Sequence, residues 1–170
     1  MTVLTRRRPG ATRRGRARGQ TLAEFALIIP VLIVMLMGIF DLGRAIFAYN
    51  AITNAAREGA RLGIVNQWAD SIRERAVNMA PTAEQDPDKA VTVAISRPAS
   101  APADNDCAAA PAVGCIVYVR YESEFFAITP IIGSLLGPMT LTAESVEPIE
   151  YVCGVTGAAI TNPALCPRQP

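Results

Sequence analysis

The side chains that could do chemistry here are four cysteines and a scatter of carboxylates. Cys107, Cys115, Cys153 and Cys166 all stand in the C-terminal half of the chain. No pair has Cys-x-x-Cys spacing, which argues against zinc. An even number in loop-like sequence favours disulfides, and therefore an oxidising compartment. The sequence-local pairing is Cys107 with Cys115 and Cys153 with Cys166, one of three connectivities; four buried or free thiols is the alternative. Asp86, Asp88, Asp104 and Asp106 match no EF-hand spacing and read as solvated linker charge. None of the 170 residues is histidine, which removes the commonest general base and metal ligand. With no phosphate loop and no convergent acid pair, catalysis is the least supported class. No cofactor, metal or small-molecule substrate is expected.

Glu24 raises a different chemistry. It is the single charge in the nineteen residues Leu22–Phe40. A carboxylate entering hydrocarbon needs a positive partner or an interfacial position. Cleavage after Gly19 would create an amino group at Gln20, about one helical turn from Glu24, and that cation could offset the charge. The simpler reading is a glutamate at the interface complementing the helix N-terminus. As bare spacing, Gly-x-x-x-x-Glu is weak. Between a basic tail and a long apolar run it gains weight.

The elements that position these groups follow from patterning. Residues 1–18 hold seven arginines and no acid, leaving nine basic against fifteen acidic residues after Gly19, about −6. This tail reads as disordered and as a topological signal, with nucleic acid the lesser alternative. The run Leu22–Phe40 would span roughly 28 Å as a helix, close to the hydrocarbon thickness of a bilayer. Pro30 and Gly38 are tolerated in a membrane helix. The arginines place the N-terminus in the cytoplasm and the rest of the chain outside it. A cleaved secretory signal is the main rival, but its apolar region is shorter and ends at a small-residue cleavage site.

The helix is expected to continue to about Val65. Ala51, Ala55, Gly59 and Gly63 recur at i+4 and form a ridge that permits close packing, either on the chain's own domain or on a partner helix. Asn50, Asn54, Arg57 and Arg61 recur on another face. Asp41 with Arg44, and Glu58 with Arg61, read as exposed helix pairs. Ser71–Met79 reads as a second helix and Thr82–Lys89 as a linker. Alternation and β-branching predict strands over Ala90–Arg97, Cys115–Tyr121 and Met139–Val146, with Glu150–Val152 a candidate extension of the third. The expected organisation is 1–19 leader, 20–66 membrane helix and extension, 67–152 small domain, and 153–170 Cys- and Pro-containing tail. The fold class is α+β: a long N-terminal membrane-spanning helix continuing into a small extracytoplasmic domain with a short antiparallel sheet.

Several of these segments resemble a known family. The Gly19-Gln20-x-x-x-Glu24 junction resembles the processing site of type IV prepilins. Glu24–Pro30, Gly38–Arg44 and above all Ala51–Arg61 are similar to the TadE-like pseudopilins of tight-adherence (Flp-type) pili. Thr129–Gly133 and Leu141–Ser145 match more loosely. The resemblance implies Gly19 before the cut, Gln20 as the new N-terminus and Glu24 as the recognition and filament-packing carboxylate. It implies a prepilin peptidase, other pilin-like subunits, the pilus assembly platform and the lipid bilayer as partners. With about 100 residues beyond the helix, the chain is expected to be a minor subunit or assembly factor acting by helix packing. A permanently anchored extracytoplasmic binding module is the alternative.

Overall fold

The computed structural model describes residues 14–130, 133–134 and 137–153, with side chains from Gly19 onward. Residues 1–13 of the leader, and Cys166 with most of the tail, lie outside the described residues. The chain divides into two compact units, Met1–Phe40 and Asp41–Pro170. The division falls inside one continuous helix, α1 (Arg14–Gly63). Helical structure begins at Arg14, inside the basic tail of residues 1–18, which is expected to be disordered.

In the first unit α1 joins no core among the described residues. From Leu22 to Phe40 the large apolar side chains are exposed, apart from half-buried Ile29, Val34 and Met37. An apolar helix exposed on all faces in water is unstable, so this surface needs lipid or other helices. Among the described residues this is the one helix long and apolar enough to cross a membrane.

The second unit holds the rest of α1, α2 (Ala69–Met79), the one-turn α3 (Pro87–Ala90) and three strands, β1 (Val91–Ser96), β2 (Ile116–Phe125) and β3 (Met139–Pro148). The strands form an antiparallel sheet in the order β1-β2-β3. Helix followed by antiparallel sheet is the α+β arrangement read from the pattern. Small residues of α1, Ala55, Ala56 and Ala60, join Ile52, Ile72, Ala76, Val117, Val119 and Tyr121 in one buried core. Tyr121 is fully buried and its hydroxyl donates to the Glu84 carbonyl at 2.6 Å, pinning the segment that leads into α3. That segment is less of a free linker than expected. Asp86 caps α3 by accepting from Asp88 N, with Pro87 in the first turn, where its missing N–H costs nothing.

Strand limits differ from the pattern by more than one residue in two places. β2 runs to Phe125, four residues beyond Tyr121, because it pairs with β3 along its whole length. β3 continues through Pro148, which opposes Ile116 at the sheet's outer edge, where proline is tolerated. Residues 150–152 do not extend the strand. Glu150 N and Tyr151 N instead both donate to Ile64 O, just past the end of α1.

The outer edge of β1 is closed by its own loop. Ile95 N donates to Asn105 Oδ1 at 2.8 Å, Ile95 O accepts from Cys107 N at 2.9 Å, and Arg97 N donates to Asp106 Oδ1 at 2.8 Å. Arg73 Nε reaches Val91 O at 3.2 Å. Side chains and one backbone N–H thus take the places a neighbouring strand would occupy, one way of protecting an edge from unwanted pairing. Asp104 and Asp106, expected to be merely solvated, hold this loop, since Asp104 accepts from Ala101 N and Asp106 also accepts from Ser100 Oγ. These bonds hold the Asp106 carboxyl below the usual aspartate range, the Arg97 N–H contributing most.

Candidate assembly site on the N-terminal helix

The residues singled out for processing sit early in α1. An added Cβ at Gly19 would meet no atom within 4 Å. Gln20 and Glu24 are both exposed, one turn apart, with Gln20 Nε2 3.4 Å from Glu24 Oε1. The side-chain amide of Gln20 thus reaches the Glu24 carboxylate.

The small-residue ridge lies further along the helix. Ala51 is half-buried, while Ala55, Gly59 and Gly63 are buried in the chain's own domain. A Cβ at Gly59 would lie 3.2 Å from Ala76 Cβ and 3.4 Å from Val119 Cγ1. At Gly63 it would lie 2.6 Å from Val117 Cγ1. The ridge thus lets α2 and β2 approach the α1 backbone. Asn50, Asn54, Arg57 and Arg61 occupy the exposed side, as their periodicity predicts. Arg61 pairs with Glu58 at 3.3 Å, and Arg75 of α2 also approaches Glu58, at 3.7 Å.

Asp41 departs most from its sequence reading. It is no exposed partner of Arg44 but a buried carboxylate, 6% accessible. Its Oδ1 accepts from Ile128 N at 3.0 Å and its Oδ2 from Thr129 N at 2.9 Å. Arg44 Nη1 stands 3.5 Å away, and its guanidinium lies over the Phe125 ring at 5.4 Å. A buried charge is tolerable only when such donors surround it. The bonds join positions 87 and 88 residues apart, so no local pattern could disclose them.

Gln67 is a second long-range tie. Its Nε2 donates to Gly63 O at 3.0 Å and Tyr151 O at 2.9 Å, and its Oε1 accepts from Cys153 N at 2.8 Å. The end of α1 is thereby bound to the segment after β3.

Cys107 and Cys115 form a disulfide, the sequence-local pairing. It clips the start of β2 to the loop that covers the β1 edge. Cys153 is also disulfide-bonded. No group of three or more His, Cys, Asp or Glu side chains able to hold a metal occurs among the described residues.

Comparison with known proteins adds one finding. Residues 19–61 match the family model described as TadE-like protein. No curated protein and no solved structure matches the chain. The matched stretch runs from the junction glycine through the apolar block and the Asp41–Arg44 exit to Arg61, within the ridge segment. The chain is therefore similar to the TadE-like family over residues 19–61, within its N-terminal helix.

Proposed function

We propose that the protein is a pseudopilin-like minor subunit or assembly factor of a tight-adherence pilus. It is held in the membrane by α1, with its N-terminus cytoplasmic and its sheet domain outside. The observation that carries this reading is the coincidence of the TadE-like match at 19–61 with a helix whose apolar surface is left exposed among the described residues of its own unit. The domain buries the Ala55-Gly59-Gly63 ridge internally, so partner packing falls to the exposed apolar side chains of 22–40 and their continuation, Leu42, Ile46 and Phe47. Helix packing of this kind is assembly, not catalysis. Gly19 and Gln20 flank the proposed peptidase cut, and Glu24 is the carboxylate that a processed N-terminus would neutralise.

The test is the intact mass and N-terminal sequence of the protein from membranes, with and without a prepilin peptidase. A peptidase-dependent start at Gln20 is expected, and Glu24→Gln should weaken incorporation beside other subunits. An intact arginine leader in both samples overturns the processing step and favours a permanently anchored binding module.

A further inference from the structure

We propose that the segment after β2, displayed by Phe126 and Ile128, is a second membrane contact that dips into the headgroup–acyl boundary beside the helix exit. This rests on the membrane-anchored reading above and goes beyond it, since it gives the sheet domain its own lipid-binding surface.

The argument begins with Asp41, which follows the apolar block directly in sequence. A carboxylate at a lipid boundary needs donors. Besides Arg44, it draws on the backbone N–H groups of Ile128 and Thr129, so the segment is held beside this turn of α1. There the side chains face outward: Phe126 is 58% accessible and Ile128 65%. Thr129 and Phe125 are buried, the latter under the Arg44 guanidinium. The loop therefore turns two large apolar groups outward while their neighbours Phe125 and Thr129 are buried.

The composition of the segment fits lipid. The thirteen residues from Phe126 to Pro138 contain no charged side chain. A loop in water is ordinarily polar. The same level of α1 is also apolar on its outer side, where Leu42, Ile46 and Phe47 are exposed. Two separate parts of the chain thus present apolar surface around Asp41, continuous in sequence with the 22–40 block. Arg44 and Tyr49, both substantially exposed, suit the headgroup layer, where arginines and amphipathic rings concentrate. The far end of the sheet is different. β2 extends ten residues from Ile116 to Phe125, about 33 Å at the usual strand rise, so Val113 stands well away from the proposed contact.

The test uses the full chain in vesicles of phosphatidylcholine and phosphatidylglycerol. Trp68 is replaced by Phe, and single tryptophans are placed by Phe126→Trp, by Ile128→Trp and, as control, by Val113→Trp. All three positions are exposed, so folding is retained. Each sample is floated with its vesicles, then quenched with acyl-chain-brominated lipid and, separately, with iodide. Quenching by bromine and protection from iodide are expected at 126 and 128, with the reverse at 113. Iodide quenching at 126 and 128 equal to that at 113, in protein that floats, overturns the second contact and leaves the anchor intact. Resistance to both quenchers overturns it in favour of a protein partner on this surface. Failure to float with the vesicles overturns the anchor and the second contact together.

Discussion

An alanine at position 63 tests how tightly α1 is seated on the sheet. Its Cβ would fall 2.6 Å from Val117 Cγ1, 3.0 Å from Cγ2 and 3.1 Å from Cβ. Carbon atoms prefer about 3.5–4.0 Å, so the nearest overlap is close to a full ångström. Val117 cannot simply turn away, because it is fully buried on the central strand, paired with Ile95 on one side and Glu147 on the other. Overpacking of this kind costs about 1–3 kcal/mol. Alanine's better helix propensity offsets up to about 1 kcal/mol, less at the last residue of a helix. The expected net loss is therefore about 1–2 kcal/mol, read as a lower midpoint in denaturant unfolding of the detergent-solubilised protein through Trp68 emission. Val117→Ala is costly alone, but it removes the two closest atoms. The double variant should be more stable than the sum of the singles by about 1 kcal/mol. Gly59→Ala, at 3.2 Å from Ala76 Cβ, should be close to neutral, and Gly43→Ala, with nothing within 4 Å, should stabilise. Full stability in Gly63→Ala, or simple additivity with Val117→Ala, would refute the close seating of α1 on β2.

Three other outcomes follow from the same geometry. Asp41→Asn keeps the shape but turns one acceptor into a donor facing an N–H, so it should lower the thermal midpoint by the equivalent of about 1–3 kcal/mol; an unchanged midpoint would mean the carboxylate is not needed there. Removing the Cys107–Cys115 bridge by a double Cys→Ala change should cost about 2–4 kcal/mol and speed amide exchange at Ile95, whose N–H and C=O are capped by that loop. Burial pushes the Tyr121 hydroxyl up to about 12, from near 10 in an unfolded chain. Below pH 10 both states keep the proton and nothing is lost. Between pH 10 and 12 the unfolded chain releases it first, so stability should fall with rising pH. Tyr121→Phe should flatten that fall, while losing the bond to Glu84 O at neutral pH; an identical alkaline slope in the variant would assign the effect elsewhere.

The parts legible in sequence were those governed by short periods. The apolar run Leu22–Phe40, its extension through the i+4 ridge, and three alternating strands each announce themselves within a dozen residues, because helix and strand faces repeat at 3.6 and 2 residues. The match over residues 19–61 lies wholly in that local regime. Element ends were less legible. β2 gained four residues and β3 crossed Pro148 because a paired neighbour, not local propensity, sets where a strand stops.

Tertiary structure alone decided what the ridge packs on and what Asp41 does. Periodicity shows that Ala55, Gly59 and Gly63 share a face, but it carries no information about the surface opposite, and only the fold brings Val117 and Val119 there. The spacing of Asp41 and Arg44 describes any exposed helix pair. The carboxylate's two backbone donors come from 87 and 88 residues further along the chain, and Gln67 meets Cys153 N and Tyr151 O in the same way. The sequence determined that this chain has a membrane-length helix and a small sheet. Its fold decided which charges are buried and which apolar side chains are left facing outward, because burial depends on contacts between residues that no local pattern links.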